Sequence, residues 1–325
     1  MTFLVRGLTL GLAWYLVVSL GVSLALAFGV SRLTAPAGRL ARLGTTRLFA
    51  LRVLPSLAAA AFVCCVFVPS YVVFEPRTPD ESVGVSLVAL AAVMVACVAR
   101  GVWRAGRGLR DARSASSEWL TRARSVGAAE LSAGLPMFAV ETPAPVVALV
   151  GVWRPRLFVA REVLRRLSPR ELAATIAHEV CHRRAHDNLK RVCVRLMPDL
   201  LGVLPAGRAI ERAWTRAAEH EADANAVAAL GVSPLELASA IIKVARLSQA
   251  LPVPLPVSRL DDGDDLDDRV RRLIEGRTSQ RARLSGLGRV WLVLGAATAV
   301  AALVAISASV PGVHELSEAL LVVLP

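Results

Sequence analysis

Lysine and tyrosine are nearly missing from this 325-residue chain: lysine stands only at Lys190 and Lys243, and both tyrosines, Tyr15 and Tyr71, lie in apolar runs. Basicity is therefore arginine, and 38 Lys+Arg against 26 Asp+Glu give a formal charge of +12. Cysteine is scarce and odd in number. Cys64, Cys65, Cys97, Cys181 and Cys193 form no C-x-x-C pair and three lie within apolar runs, which argues against a disulfide framework. What the chain has in excess is apolar residue: a mean hydropathy of +0.54 is too high for an ordinary soluble domain and points away from a purely cytosolic protein.

Four runs meet the length of about 20 apolar residues that a bilayer demands: 7–31, 53–74, 82–103 and 290–312. Arg32, Arg39, Arg42, Arg47 and Arg52 separate the first two; Arg100, Arg104, Arg107, Arg110 and Arg113 follow the third; Arg277, Arg281, Arg283 and Arg289 precede the fourth. These regions are expected in the cytoplasm, with both termini outside and the chain multi-pass in the cell (inner or plasma) membrane. The arginines read as orientation signals and contacts to anionic lipids of the bilayer, not as a nucleic-acid surface. A cleaved signal peptide is the rival account of the first run, but that run is too long for one and the arginines after it outweigh Arg6. The expected fold class is a mostly α membrane protein of about four transmembrane helices with a cytoplasmic α+β domain holding a small sheet. Its divisions are 1–105, with three spans; 106–287, the cytoplasmic domain; and 288–325, with the fourth span and a short tail.

The interval 106–287 mixes charge with periodic apolar positions. Val146 to Trp153 and Leu157 to Ala160 read as small strands. Ser168-Pro169-Arg170-Glu171 is a capping box with proline at the first helical position, so a helix starts there. Ser233-Pro234-Leu235-Glu236 repeats the device, and Arg208 to Leu230 forms a helix stopped by Gly231. Val192 to Pro205 is apolar but short, and reads as a buried or interfacial segment.

The first of these helices contains His178-Glu179-Val180-Cys181-His182, an H-E-x-x-H. Residues four apart share a helical face, so two imidazoles meet one Zn2+ while Glu179 serves as base to the water that attacks and as acid to the leaving amine. A third ligand is offered by Glu219-His220-Glu221-Ala222-Asp223, where Glu219 and Asp223 are again one turn apart: one acid binds the metal and the other orients a histidine. Spacing alone leaves Glu219 and Glu221 both open as that ligand.

H-E-x-x-H followed by E-x-x-A-D resembles the gluzincin pattern of integral-membrane zinc metallopeptidases. The resemblance implies Glu219 as the metal ligand and Asp223 as its support. Trp153-Arg154-Pro155-Arg156-Leu157, Leu167-Ser168-Pro169-Arg170-Glu171-Leu172 and Asp187-Asn188-Leu189 after the motif are similar to the BlaR/MecR type, over roughly Leu135 to Leu273. The resemblance implies a zinc endopeptidase with a protein substrate, such as a repressor. The penicillin-binding sensor domain of that type would follow the last span, and only a short tail ending at Pro325 stands there. A metzincin is excluded because Ala185 and Asn188 occupy the places of its Gly and third His. An HtpX-like quality-control protease and a non-catalytic, zinc-stabilised transducer are the alternatives.

His220 and Arg269 are candidates for holding the oxyanion or contacting substrate, since no tyrosine falls in this domain. His186 reads as a surface residue rather than a fourth metal contact, and Cys181 as a core residue rather than a ligand. The acidic run Asp261 to Asp268 does not fit a calcium loop and reads as a solvated helix start. Trp153 to Arg156 with the strand Leu157 to Ala160 either forms the edge to which an extended substrate adds, or is only a structural strand.

Overall fold

The computed structural model describes residues 2–34, 40, 43–75, 84–125, 134–142, 146–249, 263–276, 312 and 315–316. The fourth expected span, 290–312, lies outside these residues but for Gly312. The described chain divides into two compact units: one holds Met1–Arg104 with Val194–Ala213, the other Ala105–Cys193 and the chain from Trp214. The interval 106–287, read from sequence as one domain, is thus interrupted at 194–213.

The first unit is built on helices α1 (Phe3–Thr34), α2 (Thr45–Phe62), α3 (Val68–Phe74) and α4 (Val85–Thr121). A wider turn, Val63–Phe67, joins α2 to α3 just before Pro69, where the missing N–H and the ring prevent regular α-helical bonding. Three stretches are long and apolar enough to cross a bilayer, Phe3–Ser31, Thr45–Phe74 and Val85–Thr121. In α1 the hydroxyls of Ser19 and Ser23 donate to the Leu16 and Ser19 carbonyls, so neither polar group is left bare in an apolar helix.

The second of these stretches starts eight residues before the expected 53–74, and Arg52, expected in a loop, is a helical residue with 1% exposure. The reason is charge compensation. Arg52 Nη1 bonds Asp199 at 3.1 Å, Arg52 Nε bonds Glu211 at 2.7 Å, and Ser56 Oγ donates to Asp199 at 2.6 Å. The turn that carries Asp199 approaches so closely that a Cβ on Gly202 would stand 2.6 Å from Arg52 Nη2. Next to it Leu200 packs on Leu16, Met94 and Cys97. The 192–205 segment therefore splits into a helix end and a turn seated among the apolar helices of its own unit.

The second unit has a four-stranded sheet of order β1-β2-β4-β3, with β1 (Arg124–Ser125), β2 (Met137–Val140), β3 (Val147–Val150) and β4 (Arg156–Ala160). β2 runs parallel to β4, and β3 antiparallel to it. Leu157 to Ala160 are all buried because β4 is central and covered on both faces: Leu157 and Val159 pack with Ile176 and Val180, while Phe158 packs with Trp119 and Val140. β1 and β2 were not foreseen. Helices α5 (Arg161–Arg166), α6 (Pro169–Ala185), α7 (Asp187–Leu196), α8 (Pro205–Leu230), α9 (Pro234–Gln249) and α10 (Gly263–Ile274) follow, with α7 and α8 passing between the units.

The capping box of α6 is complete: Ser168 Oγ accepts from Glu171 N, and Glu171 Oε2 accepts from Ser168 N at 2.7 Å. Glu171 also receives Lys243 and Ser239 of α9, which fastens the start of α6. Gly231, at φ 68°, ends α8 in the left-handed conformation that glycine takes without strain.

Candidate metal centre

Two helices bring the candidate ligands together. α6 buries Ile176 and Val180 against the sheet and Ala174, Ala177 and Cys181 in a second cluster with Ala222 and Ala226 of α8. Alanine on both sides lets the two backbones come close, so short side chains span the gap. His178 and His182 then face Glu219.

Ligand atoms of His178, His182 and Glu219 lie within 4.8 Å of one another. The two Nε2 atoms are 3.1 Å apart, Glu219 Oε2 is 3.4 Å from His178 Nε2, and Glu219 Oε1 is 3.5 Å from His182 Nε2. Three atoms bound tetrahedrally at about 2.0–2.1 Å to one zinc ion stand about 3.3–3.4 Å apart, which is the spacing seen.

The far side of each ring decides what the near side offers. His182 Nδ1 is 2.7 Å from Asp187 Oδ2, and His178 Nδ1 is 2.8 Å from Asp223 Oδ1. A proton on each Nδ1 leaves both Nε2 atoms as bare lone pairs aimed at each other and at a carboxylate. Three acceptors with no donor among them repel, and a cation relieves the repulsion. The residues fit zinc.

Charge around the ligands follows the same logic. Burial opposes the charged ring of His182, but Asp187 and Glu219 outweigh it and lift its pKa to about 10. His178 moves the same way, burial again being overcome by Asp223 and Glu219. Burial raises Glu219 as well, yet the two histidines and Arg269 reverse this and hold it well below the usual carboxylate range. Glu179, beside them on α6, moves in the opposite direction: burial lifts it despite His178 and His182. Two neighbouring carboxyls with proton affinities driven apart suit different tasks, one as a permanent anion and one as a carrier of protons.

Arg269 has other partners than an oxyanion. Its Nε and Nη2 bond Asp223 at 2.9 and 2.8 Å, and its Nη1 lies 3.0 Å from Glu219 Oε2. His220 Nε2 pairs with Asp268 at 3.2 Å. Cys181 sits in the core, where burial pushes its thiol up to about 11, and His186 is exposed at the end of α6 with φ 57°. The edge reading of Leu157 to Ala160 is corrected: β4 lies between β2 and β3, and the exposed border is β3. At its end Asn188 Nδ2 donates to the Leu149 and Gly151 carbonyls, both at 2.9 Å. Gly151 has φ 114°, and a Cβ there would meet Arg154 O at 3.1 Å, so the turn between β3 and β4 needs glycine.

Sequence reasoning passed over the roles of Asp187 and Arg269 here. Asp187 follows the motif closely enough to be suspected; Arg269, on a separate helix, has no spacing that ties it to either histidine.

Residues 114–259 match the model of peptidase family M48, a zinc metallopeptidase family. No curated protein and no solved structure matches the chain. The matched stretch includes His178, Glu179, His182, Glu219 and Asp223, and it stops before Arg269.

Proposed function

We propose that this chain is a membrane-anchored zinc endopeptidase that hydrolyses a cytoplasmic or membrane protein. The observation that carries the reading is the convergence of His178 Nε2, His182 Nε2 and Glu219 as three lone-pair donors at tetrahedral spacing. Bound there, zinc supplies Lewis acidity and an open fourth position, which brings the pKa of water to about 7. Asp187 and Asp223 keep the two rings turned inward, and Glu179 takes a proton from water and returns it to the leaving amine.

The match to family M48 over 114–259 supports a peptidase, and three long apolar helices support membrane anchoring. In our reading 290–312 supplies a fourth span, the peptidase unit faces the cytoplasm and both termini lie outside. The arginine-rich flanks favour this orientation and contact with anionic lipids. Likeness of the Trp153 and Ser168 segments to the BlaR/MecR type favours a regulatory protein such as a repressor as substrate, ahead of HtpX-like quality control.

The deciding experiment is Glu179→Gln in the whole purified chain. Zinc near one per chain with cleavage of self or casein abolished supports the peptidase; equal cleavage by both proteins overturns it. The same variant, used as a trap, retrieves the substrate. A cytoplasm-active reporter is expected to work after Arg113 and to be silent after Pro325.

A further inference from the structure

Arg269 lies beyond the stretch that resembles family M48, on α10, and only 4% of it is exposed. Its guanidinium is spent on two carboxylates. Nε and Nη2 form a two-pronged bond to Asp223, while Nη1 takes Oε2 of Glu219 at 3.0 Å. The other oxygen, Oε1, faces His182 Nε2 at 3.5 Å.

We infer that Arg269 keeps Glu219 a one-oxygen ligand and so preserves a place for water beside the ion. The inference rests on the zinc-peptidase reading above. A glutamate free to turn offers both oxygens to a metal, and the second would fill the position that water needs. Here the guanidinium claims Oε2. Its own rotation is fixed by the fork on Asp223, and Asp223 also touches His178 Nδ1 at 2.8 Å, so one planar group sets the angle between Glu219 and that ring.

The charge balance works in the same direction. Glu179, Asp187, Glu219 and Asp223 surround two imidazoles, an excess of negative charge for one divalent ion, and Arg269 offsets part of it. By drawing electron density from Glu219 it makes that ligand a weaker donor and leaves the ion more electrophilic. Lysine retains the charge but not the fork, so the two contributions separate by substitution. Arg269 is a positioning residue: it touches the ligand, not the substrate.

The test uses the whole chain in detergent, loaded with cobalt(II), whose visible absorption is strong in four-coordinate sites and weak in five-coordinate ones. The native chain is expected to give the strong bands. Arg269→Lys is expected to lose most of that intensity, to bind cobalt and zinc about 10–100-fold more weakly, and to shift the acid limb of kcat/KM to higher pH. Arg269→Gln paired with Asp223→Asn removes charge from both sides, leaves no lone buried ion, and is expected to show the same spectral loss if the lysine variant does not fold. Weak bands already in the native chain, or an unchanged spectrum in a folded variant, overturn the role of Arg269. A native chain that takes neither ion overturns the peptidase reading as well; metal binding with Glu179-dependent cleavage and an indifferent Arg269 overturns this inference alone.

Discussion

Asp187 Oδ2 stands 2.7 Å from His182 Nδ1, so the first residue of α7 orients a ring near the end of α6. The chain accomplishes this at His186, whose left-handed backbone, φ 57° and ψ 36°, breaks α6 and turns Asp187 back onto His182. Asp187→Asn weakens the acceptor without changing its shape and is expected to lower zinc affinity about 10–100-fold. Competition against a chelator measures it, and an affinity equal to that of the native chain would remove Asp187 from the site.

The raised pKa of His182 predicts how the metal-free chain responds to pH. A histidine lifted from 6.5 to about 10 in the fold gives stability that is fully present below 6.5 and is lost as pH rises through about 10. Stripped of metal, the chain should melt progressively lower from pH 6.5 to 10. Loaded with zinc it should lack this dependence, since the ion takes the place of the proton. Melting curves with and without chelator decide the matter, and parallel curves would count against it.

Glu171 titrates in the opposite sense. Burial would raise its pKa, but Lys243, Ser239 and the Ser168 backbone bring it down to about 2 from 4.5. The stabilisation it supplies is present above 4.5 and disappears as pH falls to about 2. Because Lys243 is partly exposed, we expect about 1–2 kcal/mol from the contact after screening. Glu171→Gln should lose that amount at pH 7 and show a flatter acid limb in urea titrations; an unchanged limb would refute the assignment.

Arg52 and Asp199 form an ion pair at 3.1 Å with side-chain exposures of 1% and 0%. Asp199→Ala strands a buried guanidinium and is expected to cost about 3–5 kcal/mol, whereas Arg52→Met with Asp199→Leu should cost clearly less. Thermal melting in micelles compares the two. A double variant as damaged as the single one would show that the pair is not the source of the stability.

Where local chemistry decides structure, the sequence was readable: the Ser168 box, the stop at Gly231 and the helical period of H-E-x-x-H act within one or two turns. β1 and β2 escaped because two and four residues carry too little pattern to stand out from loop. Arg52 looked like a loop arginine because hydropathy scores the residue and not its partners, and Asp199 and Glu211 lie 147 and 159 positions away. At the candidate centre, His178 and His182 were legible from their spacing and Asp187 lay in view without a stated role. Arg269 was noticed for the wrong partner, since nothing in the order of residues shows that α10 returns to α8.

That return from α10 has a practical side. A recombinant fragment trimmed at residue 259, where the likeness to family M48 stops, would retain both histidines and Glu219 but lose the guanidinium 46 positions after Asp223. Two carboxylates would then share a dry crevice with no counterion, and such a fragment would be inert while still bearing the whole signature by which a peptidase is recognised.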